Sequence, residues 1–382
     1  MLEFCNFRNL RPDPWFHPGR RTNAFKGFAV LFVLAICLGI TKPSHAFAAC
    51  TVTLKADGNT AALQHAMDRR DRPVICLHAG IYTGARLVAT QSATVRGIDK
   101  ERAILDAGNQ GRILTMPQDG VDLTLDNVTL THGTATTGGA ILLSQRAHLT
   151  LHNAWLMGNR ATAKGGGAIA ASAGQLDLIA VRVTGNTAQG GVALDLTGTV
   201  QARLVSTLIV ENLVQANVDG AVRVADNAHL QVTASTIAYN TGAAIVFEPH
   251  GVGLTQGRVE SSILLGSPDA IRVNRLEAER VGISRSVVYG NIAFIPTDLQ
   301  TIRALPEFNL VDVEKYRPQK GSPAIDRGSC DDRDAHRDLV GQPRPRTCTA
   351  GALEAPRADI AATRKMRKDQ KSKGKKTDGS GW

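Results

Sequence analysis

Two aspartates and two histidines bracket the same tripeptide one repeat apart. Asp122 and Asp126 flank Leu123-Thr124-Leu125, and His148 and His152 flank Leu149-Thr150-Leu151. Asp177 falls in the next equivalent segment and Arg203 in the one after it. An aspartate held against a histidine is a general base with its orienting carboxylate. Two carboxyls about 6.5–9.5 Å apart around a water are the apparatus of inverting glycoside hydrolysis. Asp126, His152 and Asp177 are therefore the candidate catalytic set. Asp122, His148 and Arg203 are candidate binding residues. The same residues on a wetted strand face also make favourable cross-strand pairs with no chemistry at all.

What must position them is a repeat. Units begin at 123, 149, 176, 202, 230 and 254, separated by 26, 27, 26, 28 and 24 residues. A fixed period in this range marks a solenoid. Each unit opens with a period-2 apolar run, such as Leu149 and Leu151, and carries two further short runs. No run has the length or periodicity of a helix, so each unit predicts one coil of a parallel β-helix.

With the opening Leu inward, the residues before it, after it and two further on face out. Coils stack about 4.8 Å apart, which sets Asp122 on His148 and Asp126 on His152. The two pairs lie four residues apart along the strand, roughly 13 Å, too far to share one metal. Ten residues after the starts stand Gly133, Asn159, Asn186, Asn212 and Asn240, with Asn291 in step later. Asn tolerates the left-handed conformation of a tight turn, and its amide can bond the Asn one coil away. These asparagines are expected to be structural.

The formal charge of +10 is unevenly placed. Residues 1–48 hold six basic and two acidic side chains and residues 357–382 nine and three, which leaves the middle neutral. Basicity thus gives no reason to expect nucleic acid as a partner. Residues 1–48 read as a leader: Arg20, Arg21 and Lys26, the apolar run 27–40, and Ala46-Phe47-Ala48 as a cleavage site before Ala49. The chain is expected to be secreted or periplasmic, and associated with the cell surface in one version of that reading. Cys50, Cys76, Cys330 and Cys348 remain beyond the leader, and four cysteines permit three connectivities. Two lie near each end of the solenoid, so the economical pairing is Cys50 with Cys76 and Cys330 with Cys348, in an oxidising compartment.

Residues 49–82 read as strand, short helix and strand, with Asn59-Thr60 placed to cap the helix and Ala62, Leu63 and Met67 as its apolar stripe. Ala62-Leu63-Gln64-His65-Ala66-Met67, followed by Leu77-His78-Ala79-Gly80-Ile81-Tyr82, resembles the amino-terminal cap of pectin-lyase-like right-handed β-helix proteins. Ala103 to Asn109 and the Gly-Gly-Ala-Ile units resemble β-helices of polymorphic-outer-membrane-protein type. Ser322-Pro323-Ala324-Ile325-Asp326, Asp338, Gly341, Arg344-Pro345 and Gly351-Ala352-Leu353-Glu354 resemble the choice-of-anchor Q segment. That family has an Asp ahead of Gly-Ala-Phe-Glu, whereas Thr349-Ala350 and Leu353 stand here. The resemblance implies an all-β, single-domain right-handed parallel β-helix.

The expected layout is a leader (1–48), a helical cap (49–82), the β-helix (83–316), a disulfide-closed cap (317–356) and a disordered basic tail (357–382). No cofactor is implied, although Asp326, Asp331, Asp332, Asp334 and Asp338 form a cluster that would take calcium. The tail is expected either to aid solubility or to touch an anionic envelope surface. A monomer is expected, with polysaccharide or another cell-surface molecule as ligand. No polygalacturonase-like Asn-Thr-Asp, Asp-Asp and Arg-x-Lys set is present. Arg203 has no cluster of outward carboxylates around it of the kind a calcium-dependent lyase uses. Trp155, Tyr239 and Tyr289 are the aromatics available to a shallow sugar groove. Two classes stay open, with the first favoured. One is a non-catalytic, adhesin-like or envelope-associated binding module for glycan or protein; the other is a polysaccharide lyase or hydrolase.

Overall fold

The computed structural model describes residues 48–56, 60–163, 165–188, 193–214, 220–248, 254–310 and 315–377. The expected leader up to Phe47, Asn59 and the last five residues of the tail lie outside these. From Ala49 onward the chain forms one compact unit. Among the described residues no helix is long and apolar enough to cross a membrane.

The period-2 runs become a parallel β-helix with three long sheets. Sheets A and B have ten strands each and sheet C has eight. In sheet A, Leu123, Leu149, Leu176, Ala202 and Leu230 stand in register across successive coils. All five are buried, as are Leu125, Leu151, Leu178, Leu204 and Val232 two residues on. The next residue in the first column is Gly257, not Leu254. A side chain there would strike the ring of Phe247, its Cβ coming 2.2 Å from Cζ. Phe247 fills the space the missing leucine leaves, so the expected sixth start moves from 254 to 257. The coil pattern also begins earlier than expected, since Val52–Leu54 and Val74–Leu77 are already strands of sheet A.

From strand Asp122–Asp126 onward, each coil turns from sheet A to sheet B on one residue in the left-handed conformation: Asn127, Asn153, Ala180, Ser206, Ala234, Ser261 and Arg285. At the corner after sheet B the left-handed residue is the one before the repeated Asn, as at Gly158, Gly185, Glu211 and Tyr239. The asparagines themselves turn inward. Asn186 Oδ1 accepts from both the backbone N–H and the side-chain amide of Asn159, each at 3.0 Å. Asn212 does the same for Asn186, and Asn240 for Asn212. Gly133, lacking an amide, only donates its N–H to Asn159. Asn291 is not part of this ladder; it is exposed and bonds Asp269 Oδ1 at 3.3 Å. The strand before it is distorted at Leu265–Asp269, which takes it out of step.

Helix α1, Ala61–Met67, buries Leu63, Ala66 and Met67; Ala62 faces solvent. Thr60 holds the N-cap position, but its hydroxyl donates to Gly84 O instead of capping. Gln64 pairs with the backbone of Val88 through both amide atoms, at 2.8 and 3.0 Å. Val88 belongs to the edge strand of sheet C, so a side chain occupies a row that would otherwise recruit another strand. Disulfide Cys50–Cys76 ties the first two strands of sheet A together.

The second disulfide, Cys330–Cys348, closes the carboxy-terminal segment, which lies along the flank of the solenoid and not over its end. Phe308, Tyr316, Ala324, Leu339, Ala352 and Leu353 pack on Leu208, Val210, Ala238, Ile263 and Val287 of sheet B. Cys330, Ala335 and Cys348 pack on Val205 and Ala234. The end of the solenoid is closed instead by Ala278, Ile292 and Ile295, which join the main core. We call residues 315–356 the strap. Gly351 comes so close to the coils that a Cβ would sit 2.7 Å from Ile263 and Thr236. Its neighbour Ala352 donates to Thr236 Oγ1.

Residues Arg357–Thr377 form helix α2, where composition alone suggests disorder. Ala, Arg, Lys and Gln favour helix intrinsically. The first turns are held by Arg364 on Asp326 (2.6 and 2.7 Å) and by Thr363, which accepts from Gly321 N–H.

Glu211 links coil to strap by accepting from Lys315 and from the Tyr316 hydroxyl. These bonds hold its carboxyl below the ordinary range. A group with a lowered folded pKa stabilises above its unfolded value, about 4.3, and that contribution disappears as pH falls through the lowered one. Glu211→Gln is therefore expected to loosen the strap at neutral pH and to remove part of its loosening below about pH 4. Hydrogen exchange of residues 315–356 in the two proteins, compared across that range, is the measurement.

Candidate functional site

The outward face of sheet A carries the candidate residues in three columns. The first runs Asp122, His148, Gln175, Gln201, His229, Gln256. The second runs Thr124, Thr150, Asp177, Arg203, Gln231, Arg258, and the third Asp126, His152, Ile179, Val205, Thr233, Glu260. A depression of about 420 Å³ lies over Gln175, Asp177, Gln201, Arg203, His229 and Gln231. A second of about 390 Å³ shares Gln175 and Gln201 with it and extends to Asp122 and His148. A third, about 490 Å³, shares Gly257 and Arg258 with the first. They make one open trough across the coils.

On the described part of this face two His–Asp contacts are present, and one differs from expectation. His152 Nδ1 meets Asp126 Oδ1 at 2.9 Å, with Arg96 Nε 3.4 Å from the other carboxylate oxygen. Asp122 and His148 are strand neighbours, but His148 does not bond Asp122. Its Nε2 meets Asp177 Oδ2 at 2.9 Å on the following coil, and Asp122 lies 3.7 Å from Arg72 at the surface. The reason is the column: Asp177 stands two residues along from the partner of His148, and the imidazole leans across to it. The candidate catalytic set is thus divided. Asp126 is with His152, Asp177 is with His148, and the residue following His152 in its own column is Ile179.

Arg203 is held by the strap, with Nη2 3.0 Å from both oxygens of Asp332 and Nη1 2.7 Å from Asp334. The five carboxylates expected to cluster are likewise dispersed. Asp326 meets Arg364, Asp331 meets Arg346, and Asp338 accepts backbone N–H groups from Val340, Gln342 and Glu354. The aromatics are separated too. Tyr239 packs on Tyr316 and Phe308 with ring centroids 5.5 and 6.1 Å away, Tyr289 is exposed on the last coils, and Trp155 lies at the corner of sheet B.

Sequence reasoning missed two features of this face and one of sheet B. Arg96 stands one coil before Asp126 in a strand whose inward residues are Ala93 and Val95 in place of the repeated leucines. The four glutamines, Gln175, Gln201, Gln231 and Gln256, were visible in the outward columns but carry no motif. The docking of the strap had a partial signal: the outward columns of sheet B run Thr129, Trp155, Arg182 and Thr131, Met157, Thr184 in early coils, then Leu208, Thr236, Ile263 and Val210, Ala238 in later ones. An outward face that turns apolar has something packed on it.

No protein-family model matches the chain, and no curated protein matches it. Among solved structures, the crystal structure of pectate lyase Pel9A superposes with a TM-score of 0.48 at 11% sequence identity, covering 81% of this chain and 97% of that one.

Proposed function

We propose that this chain is an exported binding module whose ligand is a polysaccharide lying in the sheet A trough, without turnover. The observation that carries the reading is the composition of the trough. Neutral amides of Gln175, Gln201 and Gln256 recur in one column, broken by His229, with Gln231 beside them. Amide groups both donate and accept, as sugar hydroxyls do, and repeat here at the coil spacing of about 4.8 Å. Against catalysis stand the split of Asp126 from Asp177 and the engagement of Arg203 by Asp332 and Asp334. Export is supported by the leader-like sequence of residues 1–48 and by two disulfides of the kind that persist in oxidising compartments. Basic helix α2 adds an electrostatic contact to an anionic envelope surface.

The test is retention of the full chain on a glycan array, then affinity for the retained polysaccharide. Gln201→Ala with Gln231→Ala removes two adjacent amides and is expected to weaken binding by about tenfold or more, at about 1 kcal/mol per hydrogen bond. An unchanged affinity, or no retention on any glycan, contradicts the reading.

A further inference from the structure

A second cavity, of about 480 Å³, lies between the solenoid corner and the strap, away from the glutamine trough. One wall carries Arg102, Trp155 and Arg182; the other carries Arg337, Leu339 and Val340 together with the carboxylates Asp334 and Asp338. The cavity is within the size range of small-molecule sites, and its mixed apolar and charged walls are typical of them.

Its charge is unbalanced. Arg102 donates to neutral acceptors, the side-chain oxygens of Asn127 (3.2 Å) and Asn153 (2.7 Å) and the Asn153 carbonyl. Arg337 donates to Gly341 O at 2.8 Å. Arg182 lies over Trp155, 5.2 Å from the ring centroid, and its buried Nε has no hydrogen-bond partner among the described residues. Arg102 stacks on the same ring at 4.9 Å. Among the described residues the carboxylates at hand are engaged elsewhere: Asp334 with Arg203, Asp338 with strap backbone and Arg317, Asp126 with His152 and Arg96, Glu211 with Lys315 and Tyr316. Burial presses the guanidinium pKa of both Arg102 and Arg182 downward, outweighing the opposite pull of Asp126 on Arg102 and of Tyr316 and Glu211 on Arg182.

We propose that this cleft binds a tetrahedral oxyanion ester, a phosphate or sulfate monoester carried on a sugar or lipid headgroup. Three guanidinium groups reach the cavity, two from the solenoid and one from the strap. A tetrahedral group has oxygens for donors arriving from several sides, whereas a carboxylate suits one planar fork. The apolar wall of Trp155, Leu339 and Val340 receives the carrier. The cleft meets the glycan trough only through the contact of Arg203 with Asp334, and the Gln201 and Gln231 variants leave that contact unaltered.

The test uses the fluorescence of Trp155 in the full chain, with Trp155→Phe to identify its share of the signal. Glucose 6-phosphate, glucose 6-sulfate, glucuronate and glucose are titrated at fixed ionic strength. The expected result is saturable quenching by the two esters at submillimolar concentration, and none by glucose. Comparison of the esters identifies the source chemistry. Arg182→Gln and, separately, Arg337→Gln are each expected to weaken ester binding at least tenfold with the melting temperature of Arg337→Gln unchanged. Arg337 is exposed, so its replacement leaves the fold intact. Absence of saturable quenching by either ester, equal binding of glucuronate, or wild-type ester affinity in Arg337→Gln would each overturn the proposal.

Discussion

Replacing Arg344 by Met is expected to destabilise the strap by about 3–5 kcal/mol, the cost of leaving a buried charge without its partner. The Arg344 side chain is fully buried, 3.8 Å from the Glu354 carboxylate, and donates to Thr349 O and Gly351 O. Glu354 is buried as well and accepts from the Thr349 N–H and hydroxyl. Burial pushes the Glu354 carboxyl up, and Arg344 works against that rise. A carboxyl with a raised folded pKa contributes stability that is fully present below its unfolded value and is lost as pH rises through the raised one. Without Arg344 the rise is larger, so the deficit of the variant should shrink on acidification and be greatest at neutral pH. A second substitution, Glu354→Gln, keeps the acceptor for Thr349, removes the stranded charge and should recover much of the loss. Urea unfolding of the single and double variants at two pH values measures all three effects. A deficit independent of pH would contradict the assignment.

The second large effect is expected in the solenoid. Asn186→Ala removes the acceptor of two buried donors of Asn159 and the amide that serves Leu156 O and Thr184 O. Stranded buried polar groups cost about 1–3 kcal/mol each, so a loss of about 3 kcal/mol or more is expected. Asn291→Ala removes one exposed bond to Asp269 and should stay within about 0.5 kcal/mol. Denaturation midpoints of the two variants compare a rung of the ladder with an asparagine that matches it only in spacing.

That contrast marks how far the sequence is legible. Leucine alternation and the Asn spacing define the coil because both are consequences of stacking identical units. Where the coil is broken, the periodicity misleads. Gly257 hides an inward position because its space is taken by Phe247 from another sheet, and Asn291 keeps step only by count. The strap was legible as a disulfide-closed segment, but its place was not. That depends on contacts more than a hundred residues apart in sequence, such as Arg203 with Asp332 and Ala352 with Thr236. Of the candidate site, the strand register of Asp126 with His152 follows from the repeat. The preference of His148 for Asp177 does not, since a side chain leaning to its diagonal neighbour leaves no periodic trace.

The most direct test of a glycan-binding, non-catalytic trough is to incubate the full chain with each retained polysaccharide. Unsaturated products and new reducing ends are then measured beside the binding isotherm. The account predicts saturable binding, weakened by loss of Gln201 and Gln231, with no products at any time. Product formation that disappears in Asp126→Ala or His152→Ala would contradict it.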